Sequence, residues 1–313
     1  MAAASALPQP RTVRRRGSLA RREAVWGIAC ASPWFIGFFV FTAGPMLASI
    51  VLSLTSWDLL TAPHFVGLQN YQTLFGGDSS VWHSLLVTTF YAVLAVPLHT
   101  VFGLILAILL NQKIKFQRFV RTVYYLPSVV SGVAVALLWQ WIFSPDFGLL
   151  NTLLGYVGIK GPAWLADEHT VILAFVVMSL WGVGAGMIIY LAGLQGIPSD
   201  LYEAAQVDGA SSMRQFWNIT IPMLSPVIFF NVIIGVIGAL QIFTQAYVMT
   251  NGGPHDASLF FMLYLYRNAF EYFKMGYASA LAWVLFFYIM VLTIFVIRSS
   301  AIWVYYEGRT TGR

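Results

Sequence analysis

Apolar residues fall along this chain in six long runs, without the alternating or mixed patterns of a water-soluble domain. The runs are Val25–Leu54, Leu85–Leu110, Thr122–Phe143, Val171–Leu194, Pro226–Val248 and Ala278–Ile297. Each has at least 20 residues and none contains Asp, Glu, Lys or Arg. At 1.5 Å per residue such a run crosses about 30 Å of hydrocarbon. Backbone groups in lipid must be paired within their own segment, so the runs predict helices, whereas barrel strands would alternate. The pattern predicts an all-α polytopic membrane protein with six transmembrane helices. Gly44-Pro45 predicts a kink or early end in the first helix, and Pro97 a kink in the second.

Composition agrees. Of 313 residues, 59% are hydrophobic and only 9% are charged, against roughly 25% charged in soluble domains. The first two dozen residues are Ala-, Pro- and Arg-rich and begin like a signal peptide. The apolar run that follows is too long for a signal h-region and more runs come after it, so it is read as an uncleaved first span. The chain divides into an Arg-rich segment 1–24, a six-helix domain 25–302 and a tail 303–313. The single cysteine, Cys30, excludes an intrachain disulfide and reads as a small apolar filler.

The net charge of +5 sets orientation and needs no nucleic-acid partner. Lys and Arg number six in the N-terminal segment, four in Asn111–Arg121, one in Gln195–Ser225 and three in the tail. The alternate loops hold none in Thr55–Ser84, one in Ser144–Thr170 and two in Met249–Ser279. The bias of 14 against 3 predicts that both termini are cytoplasmic.

The spans hold no acid, lysine or arginine, and only His99 is ionisable near membrane depth. Ion-coupled carriers need such groups, so energy is expected from outside the bilayer. His99 reads as a polar contact between helices. His64, His83, His169 and His255 are scattered without metal-ligand spacing and are assigned no metal.

The loop 197–225 reads IPSDLYEAAQVDGASSMRQFWNITIPMLS. Pro198-Ser199-Asp200 starts a short helix over Leu201–Asp208. Gly209 supplies a left-handed end. Ser211 or Ser212 caps a second helix with Met213, Phe216 and Trp217 on one face. Pro222 and Pro226 close the unit and return the chain to the membrane. Interfacial helices are normally rich in Lys and Arg, but this pair has Asp200, Glu203 and Asp208 against Arg214 alone. An acidic, knobbed element suits a basic protein pocket better than an anionic leaflet; a pair lying on the bilayer is the other reading.

The run EAAQVDGASSMRQFWNITIPMLSP resembles the Glu-Ala-Ala loop of ABC importer permeases, with Glu203, Ala204, Ala205, Asp208, Gly209, Ala210, Phe216, Ile219, Pro222 and Pro226 matching at fixed offsets. GLQNYQTLF (Gly67–Phe75), YVMTNGGP (Tyr247–Pro254) and YLYRNAF with MGYASALAWVLF (Tyr264–Phe286) resemble the maltose- and glycerol-phosphate-type carbohydrate permeases, on the side of the unlike pair that carries the Asn-Tyr loop. The resemblance runs from Trp34 nearly to the end. It implies a type I ABC importer permease fold in a prokaryotic cytoplasmic (inner) membrane. It implies as partners a second permease subunit, a cytoplasmic ATPase dimer that holds ATP and Mg, and an extracytoplasmic solute-binding protein. The ATPase-coupling residues it implies are Glu203, Ala204, Ala205, Asp208, Gly209, Met213 and Phe216. The chain has no G-x-x-x-x-G-K-[ST] phosphate loop, so ATP hydrolysis is expected in a partner.

A sugar needs aromatic faces and amide or hydroxyl partners in a cavity. Related permeases line the path with the fourth and fifth spans, which makes Trp181, Gly182, Gly235, Gly238, Gln241 and Gln245 the solute-path candidates. Gln241 and Gln245 are four apart and share a helix face. Interhelical hydrogen bonds and close packing are the other reading, and Gly182, Gly184 and Gly186 read chiefly as packing. Asn251-Gly252-Gly253-Pro254 is a turn by residue type. An ATP-independent carrier or channel subunit and a permease for a non-sugar solute stay as alternatives. An intramembrane enzyme lacks a nucleophile–base set at depth.

Overall fold

The computed structural model describes residues 17–112 and 114–305. The remaining Arg-rich start, Lys113 and the end of the tail lie outside the described residues. Among the described residues four helices are long and apolar enough to span a membrane, and two bent pairs bring the number to six if each pair is one span.

The first span is α1 (Gly17–Phe38), a π-helical turn (Phe39–Ala43) and α2 (Gly44–Ser53), continuous as one rod. Gly44-Pro45 therefore does not end the helix. Proline has no N–H for the preceding turn, and the widened π turn before it absorbs the mismatch. The helix is already formed at Gly17, ahead of the expected Val25. Cys30 lies exposed on this rod and fills no gap within the chain. A two-residue hairpin, β1 (Thr55–Ser56) with β2 (His64–Phe65), and α3 (Gln69–Gly76) follow.

The second span is α4 (Ser79–Asn111), 33 residues unbroken through Pro97, or about 50 Å. It is the central post, packed against the fourth and fifth spans. Its start is capped by Asp78, whose Oδ1 accepts from the Ser80 N–H at 3.0 Å. Its far end is closed by side chains from the next helix. Gln117 Nε2 and Arg121 Nη2 donate to the Leu110 carbonyl at 2.7 and 2.8 Å, a cation at a helix C-terminus as the dipole favours.

The third run does not form one helix. α5 (Gln117–Tyr125) passes through a 3-10 turn (Leu126–Val129) and meets α6 (Gly132–Ile142) at 99°. Pro127 and the extended backbone at Val130 interrupt the ladder that hydropathy alone leaves intact. α7 (Leu149–Tyr156) lies in the next connection. The fourth run is also broken: α8 (Val171–Leu180) and α9 (Gly184–Gln195) meet at 46°. α10 (Ser199–Val207) and α11 (Ser212–Gln215) form the loop, and a π turn (Phe216–Thr220) leads straight into α12 (Ile221–Leu240). Pro222 and Pro226 thus close nothing. Pro222 sits in the first turn of α12, where its missing N–H costs little, and Pro226 is carried inside that helix. α12 stops at Leu240, and α13 (Thr244–Met249) starts after three irregular residues. α14 (Phe261–Tyr266) and α15 (Met275–Trp303) complete the chain.

The core has two main parts. Beside α13 and α14, Phe260 is fully buried with Tyr91 and Phe175 edge-on to it at 5.4 and 5.2 Å, a favoured aromatic geometry. Nearer the 197–225 loop, Leu110, Met187, Leu191 and Leu224 close the α4–α9–α12 contact. Thr88 joins α14 to the post by accepting from the Phe261 N–H at 2.9 Å.

Candidate functional site

The three helix breaks converge. Val130 and Gly132 from the first, Trp181 and Gly182 from the second, and Gln241 through Thr244 from the third all line one cavity of about 580 Å³. That is within the roughly 300–1,000 Å³ of ligand sites. Non-helical backbone at membrane depth persists only where it is buried in protein or lines a watered cavity. Gly184 permits the crowding, because a Cβ there would fall 2.2 Å from the Tyr124 carbonyl oxygen.

All six solute-path candidates, Trp181, Gly182, Gly235, Gly238, Gln241 and Gln245, are on the cavity wall. Gln241 and Gln245 do not lie on one helix as expected. Gln241 is the C-cap of α12, with φ −108° and ψ 16°, and Gln245 belongs to α13. They share no continuous helix face, and the break itself turns both to the same space. Gly238 has nothing within 4 Å of a would-be Cβ, and Gly182 has only the Ser179 carbonyl at 3.5 Å. Gly184 and Gly186 are packing glycines, as expected, whereas Gly182 opens onto the cavity. His99 lines the cavity too. No Asp, Glu, Lys or Arg is on its wall.

The 197–225 loop projects as a separate element. α10 ends in a Schellman motif: Gly209 has φ +74°, its N–H donates to Gln206 at 3.0 Å, and the Ala210 N–H donates to Ala205 at 2.8 Å. That double closure needs a residue at ease in the left-handed region. Ser211 then caps α11 by accepting from the Arg214 N–H at 3.4 Å. Tyr202 and Thr220 hydroxyls meet at 3.0 Å and pin α10 to the start of α12. Glu203, Ala204, Asp208, Gly209 and Met213 are exposed, while Ala205 and Phe216 are half-buried. Trp217 is exposed and edge-on to Phe216 at 5.1 Å. Among the described residues Glu203 forms no ion pair. The arrangement offers an unpaired carboxylate beside exposed Val207, Met213 and Trp217.

At the opposite end, sequence reasoning missed the hub at Asp78. Its Oδ2 accepts from the Tyr277 hydroxyl at 2.7 Å and from the Tyr264 hydroxyl. Burial, then the bond to Asp78, pushes the Tyr264 phenol up to about 12, so it stays a neutral donor. Asp-Ser-Ser before an apolar run is a capping signal that could have found the cap; the tyrosines, far off in sequence, leave no such mark. The Asn251–Pro254 segment is more than a turn. Arg267 Nη2 donates to the Asn251 carbonyl at 2.5 Å, and Ser258 donates to the Gly253 carbonyl at 2.5 Å. The His83 ring nitrogen Nε2 meets the Asp256 carbonyl at 2.9 Å and ties α4 to that loop, while His255 meets Glu168 at 2.6 Å and bridges two loops.

A family of binding-protein-dependent transport system inner membrane components matches residues 99–305. A probable ABC transporter permease protein, YesP of Bacillus subtilis (strain 168), is 44% identical, over 92% of this chain and 94% of its own. The lactose transport system permease protein LacF of Rhizobium radiobacter is 36% identical, over 89% of this chain and 95% of its own. One chain of a crystal structure of a bacterial ABC transporter that imports the acidic polysaccharide alginate superposes with a TM-score of 0.79 at 23% identity, over 92% of this chain and 99% of that one. That likeness concerns the fold.

Proposed function

The chain belongs to the binding-protein-dependent transport system inner membrane components, and from that membership we propose that it is one permease subunit of an ATP-driven importer for a sugar or sugar-like solute. The observation that carries the cargo class is the cavity at the three breaks. Its wall offers an indole at Trp181 and amides at Gln241 and Gln245, and no fixed charge. Aromatic faces and neutral hydrogen-bonding groups suit a hydroxyl-rich, uncharged solute. The relation to a lactose permease supports the same class.

Energy enters through loop 197–225. Glu203 pairs with a basic group in a cleft of a partner ATPase, which holds ATP and Mg. Val207, Met213 and Trp217 fill the apolar part of that cleft, and Gly209 keeps the two loop helices at their angle. Closure of two ATPase subunits pulls α10 and α11, and through the Tyr202–Thr220 contact pulls α12, whose far end forms the cavity wall. A second permease completes the path, and an extracytoplasmic binding protein delivers solute on the side of Asp78 and Arg267. The Lys and Arg bias supports a cytoplasmic side for both termini and loop 197–225.

The test is uptake by vesicles holding this chain with the companion permease and ATPase encoded beside it, plus the neighbouring binding protein. Lactose, maltose, trehalose and cellobiose are the probes. Accumulation of at least one that requires ATP on the ATPase side is expected. Accumulation driven by a proton or sodium gradient without ATP would move the chain to the carrier class.

A further inference from the structure

Below the helix breaks, toward loop 197–225, the same cavity has a second polar level. His99 and Thr100 of α4, Tyr190 of α9 and Asn231 of α12 all line it. Asn231 lies nine residues before Leu240 on one continuous helix, about 14 Å at 1.5 Å per residue. The two levels are therefore distinct along the path.

The level is built. Tyr190 is 1% exposed, and among the described residues its buried hydroxyl makes no hydrogen bond of normal geometry, with the Thr100 side chain beside it. A buried phenol normally finds one, because an unmet hydroxyl is costly to bury. Two glycines make the room. A Cβ at Gly103 would stand 3.2 Å from the Tyr190 ring, and one at Gly186 would stand 3.4 Å from Asn231 Oδ1 and 3.7 Å from His99 Cε1. Asn231 Nδ2 is committed to the Val227 carbonyl at 3.0 Å, which fixes the amide and leaves Oδ1 as an acceptor. Polar side chains at membrane depth are costly and mark solute paths.

We propose that His99, Thr100, Tyr190 and Asn231 form an inner station for solute hydroxyl groups, occupied after the level of Trp181, Gln241 and Gln245 on the way to the loop side. The Tyr190 hydroxyl donates to, or accepts from, the passing solute, and Asn231 Oδ1 accepts. This rests on the sugar-importer reading and adds a second binding step to it. The step acts after delivery, so it governs turnover and selectivity rather than capture by the binding protein.

The experiment uses the complete transporter in vesicles, with lactose, maltose, trehalose and cellobiose as probes. Tyr190→Phe and Asn231→Leu are compared with the parent. The expected result is turnover lowered roughly 3- to 10-fold, the size of one lost hydrogen bond. KM should be unchanged, the melting temperature of the complex should not fall, and the relative rates of the four sugars should be altered. Parent-like turnover and selectivity in both variants would overturn the inner station while leaving the importer reading intact. A uniform fall for every sugar together with a lower melting temperature would also overturn it, in favour of packing. Failure of the parent to move any of the four would overturn the sugar reading and the station with it.

Discussion

The side-chain amide of Asn70 donates to the main-chain carbonyl of Ser53 at 2.8 Å, and also to that of Thr55 at 2.9 Å. The last carbonyls of the first span have no partner within their own helix, and α3 reaches back to supply one. Tyr71 adds a bond from its hydroxyl to Ser53 Oγ at 2.9 Å. The Asn-Tyr pair is therefore a clasp at the end of a rod that α15 also holds, with Trp283 Nε1 donating to Ser49 Oγ at 3.1 Å. Asn70→Ala removes both amide bonds and should cost about 1–3 kcal/mol, read as a lower melting temperature of the complex. Asn70→Asp, which keeps the shape but cannot donate, should cost as much. An unchanged melting temperature in both would remove the clasp.

Asp78 joins the start of α4 to Tyr264 and Tyr277. Asp78→Ala removes a helix cap and strands two tyrosine hydroxyls, a loss of about 2–4 kcal/mol from the cap and two hydrogen bonds. Tyr264→Phe should cost less, because Asp78 keeps Tyr277. Thermal unfolding of the two variants in one detergent checks the order.

Gly209 sits at φ +74°. Gly209→Val places a β-branched residue in the left-handed region, at a cost of about 1–3 kcal/mol. No atom of the described residues lies within 4 Å of a Cβ there, so the strain of the first side-chain carbon is in the backbone. Membrane insertion should be normal and ATP-dependent uptake impaired. Normal uptake would show that the angle between α10 and α11 is unimportant.

Glu203 is exposed and unpaired within the chain. Glu203→Lys reverses the charge offered to a basic pocket, where a like-charge contact costs several kcal/mol. Uptake should be abolished with the amount of chain in the membrane unchanged. Transport at the parent rate would end the coupling role.

Much of this arrangement is legible in the residues, and the exceptions share one cause. Hydropathy reports that a segment is solvated by lipid or protein, and so locates the runs around α2, α4, α12 and α15. It is silent on whether the ladder is continuous, so the 99° and 46° bends and the end of α12 at Leu240 leave no trace in it. Gln241 and Gln245 were found because amides at depth rarely face lipid. Their assumed common helix face was wrong, since nothing in those residue types announces a break at 241–243. The loop fared better. Asp200, Gly209 and Ser211 act locally, through caps and a left-handed turn, and local chemistry is what residue order records. Pro222 and Pro226 misled because proline marks a helix start as readily as an end. Asp78 meets tyrosines distant in the chain, and Tyr190 and Asn231 share a cavity wall only because the fold brings α9 and α12 together.

The claim that this chain is one part of an unlike, ATPase-coupled assembly is tested most directly by purifying it, tagged, from cells that also express its neighbouring genes, with crosslinking and mass spectrometry. The account predicts a second permease-like chain and an ATPase in the same complex, with crosslinks to the ATPase from residues 199–217. Recovery of this chain alone or only with itself, without an ATPase even after crosslinking, would contradict it.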